Sequence, residues 1–226
     1  MLTDDPDTPG DGHWEINLAA IHSKAKGQKL NSLPDVDINY GWGDSLQLKL
    51  DVPLLQGSDS EHGTQQAVGP ANLGLKWRFI DEDPAGFSVS TYPQYLSNLN
   101  SQAVHLGLAD AGHQLYLPIE ASGHLGEWTW VAEVGRTLVV GSNDPGNINA
   151  WQTGQLLAHA CGEEVECMAE LYETHTSLGT KVLLNLGLRW KLDEHSTFIA
   201  AAGHEKADSG LAARSALVYI GVQLNY

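Results

Sequence analysis

Lys181-Val-Leu-Leu-Asn-Leu-Gly-Leu-Arg-Trp-Lys-Leu192 decides the fold class. Its even positions, Val182, Leu184, Leu186, Leu188, Trp190 and Leu192, are all apolar. Its odd positions, Lys181, Leu183, Asn185, Gly187, Arg189 and Lys191, are mostly polar or small. Successive side chains on a strand point to opposite faces, so this rhythm writes one apolar and one polar face.

The same period recurs on both sides of that segment. Ala216, Val218, Ile220, Val222, Leu224 and Tyr226 alternate with Leu217, Tyr219, Gly221, Gln223 and Asn225. Leu46, Leu48, Leu50, Val52 and Leu54 alternate with Gln47, Lys49, Asp51 and Pro53. The template predicts about twelve strands, near 13–22, 33–42, 45–55, 70–80, 86–95, 113–122, 126–138, 148–160, 165–174, 180–192, 195–204 and 213–226. Around Ala150–Ala158 the phase slips, which reads as a bulge. Residues 1–12 read as a polar lead-in with no packing capacity, and 13–226 as the folded domain.

The connections alternate in length. Long polar stretches at 23–32, 56–69, 96–112 and 139–147 alternate with tight turns at Gly43-Asp44, 81–85, 123–125, 162–164 and 193–194. The connection at 174–179 is the least decisive of the long set. That alternation belongs to an up-and-down barrel with loops on one side and turns on the other.

Composition narrows the function. Twelve Lys+Arg against 28 Asp+Glu give a net charge of −16 over 226 residues. Such a chain repels phosphate backbones, so no nucleic-acid partner is expected. The longest strictly apolar run, Ala216–Val222, is far below the ~20 residues of a membrane helix. A membrane barrel stays open, because its lipid face is written one residue in two. Met1-Leu-Thr-Asp-Asp-Pro lacks a basic n-region and an apolar h-region. The expectation is a cytoplasmic chain, or a mature exported form whose signal peptide has been removed and a Met added.

The polar face carries Glu15, Asp35, Asp37, Lys49, Asp51, Lys76, Arg78, Glu120, Glu127, Glu133, Lys181, Arg189 and Lys191. A soluble barrel would show these to water. The aromatics argue for the inverted arrangement. Trp14, Tyr40, Trp42, Trp77, Phe79, Phe87, Trp128, Trp130, Trp190, Phe198 and Tyr226 fall near strand ends beside the short turns. Rings collected at one end form a girdle at a membrane interface. The opposite girdle is thin, with Trp151 and Tyr95. The fold class is therefore all-β, a closed antiparallel up-and-down transmembrane β-barrel. The charges of the polar face would then line its lumen.

Gly69-Pro-Ala-Asn-Leu-Gly-Leu-Lys-Trp-Arg-Phe79, Asn185-Leu-Gly-Leu-Arg-Trp-Lys191 and Val218-Tyr-Ile-Gly-Val-Gln-Leu-Asn-Tyr226 resemble the transporter-like outer-membrane barrels of the "MetA-pathway of phenol degradation" family. The resemblance covers most of the chain in pattern, through short, strand-like motifs. It implies a small bacterial outer-membrane barrel that passes hydrophobic or aromatic compounds, and it supplies no catalytic residues. The final strand, ending on Tyr226, also resembles the signal read by the barrel-assembly machinery, although Phe is commoner there.

The lumen charges have two readings: a polar passage whose charge sets selectivity, or a salt-bridge network filling a narrow barrel. Cys161 and Cys167 flank a turn and are placed for a disulfide in an oxidising compartment. The ten histidines, among them His13, His62, His105, His113, His124 and His195, show no metal-ligand spacing. No metal and no cofactor are expected. Asp59-Ser-Glu61 could meet lipopolysaccharide through divalent cations. Ser97, Asn98, Ser101 and His105 share one loop and are the material for an outer-membrane lipid hydrolase. The leading reading is a non-enzymatic channel for small molecules. The alternatives are a non-conducting barrel acting through its loops and, behind it, the hydrolase.

Overall fold

The computed structural model describes residues 1–25, 28–59, 63–142, 148–209 and 211–226. In these residues the β-segments are β1 (Trp14–Ala25), β2 (Gln28–Trp42), β3 (Leu46–Asp59), β4 (Gly63–Val68), β5 (Pro70–Ile80), β6 (Phe87–Thr91), β7 (Gln94–Asn98), β8 (His113–Leu125), β9 (Trp128–Val140), β10 (Ala150–Ala160), β11 (Val165–Thr176), β12 (Gly179–Lys191), β13 (Ser196–Ala207) and β14 (Arg214–Asn225). Two single helical turns, α1 (Glu82–Ala85) and α2 (Gln102–His105), complete the set. No helix among the described residues is long and apolar enough to cross a membrane.

Proline divides two of the strands. Pro cannot donate to the ladder, so a strand breaks or bulges where it stands. β4 and β5 form one strand across Gly69-Pro70, and both pair with β3. β6 and β7 form one strand across Tyr92-Pro93, and both pair with β5 and β8. The product is twelve antiparallel strands, each beside its neighbour in sequence. β1 closes the ring against β14, from Glu15↔Asn225 to Ala25↔Arg214. Trp14 and Tyr226 exchange N–H···O bonds of 2.9 Å at the seam. Closure pairs the ring of strands on both sides, the condition for crossing lipid; β4, at the long-loop end, pairs with β3 alone among the described residues.

Three expectations change. Within the expected loops, 23–25, 28–32, 56–59 and 63–68 are strand, so β1–β2 and β3–β4 stay paired well past the expected strand ends. Polar strand and loop look alike in sequence where neither face is buried in apolar matter. The bulge expected near residue 150 is absent: β10 pairs in unbroken register with both β9 and β11. Its apolar residues Leu156 and Ala158 are buried inside with Val131 and Met168, while Thr153 and Gln155 face outward. Third, residues 1–12 do pack: 1–6 lie inside the barrel, and 7–12 cross its short-turn rim against the β2–β3 turn.

The apolar face points outward. Leu184 and Leu186 are 60% and 70% exposed, while Leu183 and Asn185 beside them are buried. Trp14, Trp42, Trp77, Phe79, Phe87, Trp128, Trp190 and Tyr226 are exposed at the short-turn end. Trp14 packs on Tyr40 at 4.7 Å and Trp77 on Phe79 at 5.5 Å between centroids. Tyr40, Trp130 and Phe198 share that end and are half-buried.

Candidate functional site

The lumen is occupied. Residues 1–12 enter from the short-turn end, and 1–6 run between the two sides of the barrel. The N–H groups of Leu2 and Thr3 donate to Glu170 on β11 at 2.7 and 2.5 Å. The N–H of Asp4 donates to Glu133 on β9 at 3.2 Å. The Asp4 carboxylate accepts from Lys76 on β5 at 3.1 Å. Lys76 also donates to the Asp5 carbonyl. Asp5 faces Arg189 at 3.7 Å and Asp7 faces Arg78 at 3.6 Å. Gly43 donates to Asp11 at 2.8 Å, and Thr8 to the Asp44 carbonyl at 2.8 Å. An unstructured acidic peptide is thus held by ion pairs and by carboxylates that accept its free N–H groups.

Two wall glycines make room for it. A Cβ on Gly41 would collide with the backbone of Gly10, and one on Gly154 with the Thr3 side chain. Burial opposes ionisation of Asp4, but Lys76 and Lys49 outweigh it and hold the carboxyl below its ordinary value.

At the centre stands Lys76, 2% exposed. It faces Glu120 at 3.8 Å and lies 4.6 Å from the centre of the Tyr92 ring. Glu120 is fully buried and accepts from Ser90 at 2.6 Å. Gln47 donates to both Asn39 and Tyr92, at 2.8 and 3.0 Å. Tyr92 keeps the inward phase of Ser88 and Ser90 and lies over Gly74, beside the strand break at Tyr92-Pro93. Asn185 donates to Glu170 at 2.6 Å, and Tyr116 donates to Glu133.

Beside this core the lumen holds a cavity of about 660 Å³, with its acidic wall on β1–β3 and the rest of its lining running round to β13 and β14. Glu15, Asp35, Asp37 and Asp51 line it, with Lys49 bonded to Asp37 at 3.1 Å. Eight carboxyl side chains and three cationic ones border the whole cavity, counting the amino-terminal residues.

The long-loop end is narrowed too. Residues 99–112 fold onto the inward face of the β3–β4 hairpin. Ala103 and Leu108 pack there against Leu55 and Ala67. Burying these four apolar groups holds the loop in place.

Most charges expected in the lumen are there: Glu15, Asp35, Asp37, Lys49, Asp51, Lys76, Glu120 and Glu133 lie within. Arg78, Lys181, Arg189 and Lys191 keep the inward phase of their strands but lie toward the rims. Glu127 is a correction. It sits in the β8–β9 turn, 90% exposed beside His159, because the turn ends the alternation that would have aimed it inward. Glu170, Tyr92 and Tyr116 join the lumen without having been expected there, and Asn185 enters it on the polar phase of its strand. The inward phase of β11, Met168 and Glu170, is the signal that reveals the first. Cys161 and Cys167 form a disulfide across the β10–β11 turn. Ser97 meets His113 at 3.0 Å rather than His105, which ends α2. No group of three or more potential metal ligands occurs among the described residues. Glu61 and His62 lie outside them.

The same architecture recurs in solved structures. The "COG4313 outer membrane channel from Pseudomonas putida F1" superposes with a TM-score of 0.78 at 13% identity, covering all of both chains. Its fold is this fold. The "KdgM porin in complex with disordered oligogalacturonate" gives 0.62 at 8% identity, covering 93% of this chain and 99% of that one. The "CymD monoaromatic hydrocarbon channel" gives 0.52 at 7% identity, covering 96% and 89%. No family model and no curated protein matches the sequence.

Proposed function

We propose that this chain is a bacterial outer-membrane channel for small molecules, normally closed by its own amino-terminal segment. The observation that carries the reading is a polar, charge-lined cavity inside an apolar-walled barrel, stoppered by residues 1–12. The excess of carboxylates in that cavity favours polar cations over anions. The structural neighbours support a channel: solved structures that share the fold are named as channels and porins. A passage for aromatic solutes is the second reading. Tyr92, Tyr116 and Tyr219 border the cavity, and one neighbour is named as a monoaromatic hydrocarbon channel. The ion-pair network is then also the lock of the channel, not a filler alone.

Planar-bilayer recording tests this. The full chain should conduct weakly. Replacing Asp4, Asp5 and Asp7 with Asn should raise conductance several-fold, with a reversal potential that favours K⁺ over Cl⁻. A silent or anion-selective trace from that variant overturns the cation channel. Uptake of a labelled phenol into vesicles through the same variant separates the aromatic reading.

A further inference from the structure

We propose that the outer wall of β9–β11, at the long-loop end, binds the phosphorylated headgroup of an outer-leaflet glycolipid, with Arg136 as the anion ligand and Trp151 as its platform. The proposal rests on the outer-membrane reading. The chain has four arginines. Three pair with acids: Arg78 with Asp7 and Asp81, Arg189 with Asp5 and Glu166, and Arg214 with Glu205. Arg136 pairs with no carboxylate among the described residues, in a chain where acids outnumber bases more than two to one.

Its position is on the outside. On β9, Glu133 and Thr137 are buried inward, so Arg136 shares the lipid-facing phase of Trp128 and Val134. Its partners in register are Leu117 on β8 and Trp151 on β10. His175 on β11 continues the row. The guanidinium carbon lies 5.0 Å from the centre of the Trp151 ring. Trp151 is 53% exposed and stands one residue inside the long-loop end of β10, at the level of the thin outer girdle.

A guanidinium stacked on an indole is held by a cation–π contact, and its N–H edge remains available for a second, bidentate partner. Phosphate matches that fork. A recess of about 630 Å³ opens here, bordered by Arg136, Trp151, His175, Thr176 and Ser177. Among the described residues, the acid one row below, Glu173, is engaged by His175 at 3.3 Å and by Thr153 at 3.3 Å.

The anion's source follows from what lies beneath. Four residues further down β9 the same wall sinks into a mainly apolar trough of about 1060 Å³. Ala132 and Ala169 form its floor, and Trp130, Leu157, Leu171 and Leu184 its sides. A cationic ledge above an apolar trough fits a phosphate joined to acyl chains. A free phosphate would use only the ledge.

Native mass spectrometry of the full chain in detergent tests the site, with bisphosphorylated lipid A, its dephosphorylated form and inorganic phosphate as probes. The bisphosphorylated lipid should bind. R136Q should weaken it about tenfold and R136K less, because the charge survives without the fork. K24Q, on β1 across the barrel, should leave it unchanged. Equal binding by R136Q, or by the dephosphorylated lipid, overturns the proposal. Inorganic phosphate competing as tightly as the lipid overturns the glycolipid as its source. If R136Q does not fold, W151A reads the same site and should also weaken binding. Heat-shifted mobility on SDS gels and insertion into vesicles report the outer-membrane reading separately.

Discussion

The two halves of the barrel wall are built differently. β9 to β13 pair with one another in unbroken register and contain no proline. The span from β2 to β8 carries Pro34, Pro53, Pro70, Pro93 and Pro118, and register shifts interrupt β1–β2, β2–β3 and β5–β6. The irregular half also carries the buried charges Lys76 and Glu120, the carboxylates Asp35, Asp37 and Asp51 that line the cavity, and Tyr92. Lys76, Glu120 and Tyr92 meet there while keeping the inward phase of their strands. The regular half presents an outward face that is mainly apolar and dips into the trough over β9–β13. The amino-terminal segment ties the halves together, through Glu170 and Glu133 on one side and Lys76 on the other.

The largest effect should come from the irregular half. K76M leaves Glu120 buried without its cation, and removing one partner of a buried pair costs about 3–5 kcal/mol. Unfolding in guanidinium with lipid vesicles should show that loss, and K76M/E120Q should recover part of it. An unchanged midpoint for K76M would mean that the central charges are not coupled. On the regular half, L186R puts a cation on a 70% exposed, lipid-facing position. Near the bilayer centre that costs about 2–4 kcal/mol, falling toward zero at the interfaces. Full stability of L186R in vesicles would argue that this wall does not face lipid.

The smallest effect concerns the tie between the halves. Docking depresses the Asp4 carboxyl. A depressed acid contributes docking above its free value of about 3.9 and loses it as pH falls through the docked value. Conductance should hold steady from about pH 7 to 5 and rise below about pH 4. D4N should abolish that rise. A rise that persists in D4N would assign it to other acids.

Sequence legibility followed regularity. Alternation of apolar and polar residues is a local property, so strands such as 180–192 and 213–226 were readable from period alone, and with them the lipid face and the aromatic end. The wall charges Lys76, Glu120 and Glu133 were readable by phase. Their partners were not. Asp4 meets Lys76 72 residues away, and Thr3 meets Glu170 167 residues away. Nothing in an aperiodic acidic peptide states that it will be threaded through a ring of strands.

The sequence by itself determined a closed, lipid-facing antiparallel wall, because side-chain period two and the demand for a paired backbone leave few other solutions. Only the tertiary structure decided that the lumen is filled. The interior volume, the inward fold of residues 99–112 and the course of residues 1–12 depend on which distant groups can satisfy each other's charges and N–H groups once the ring has closed.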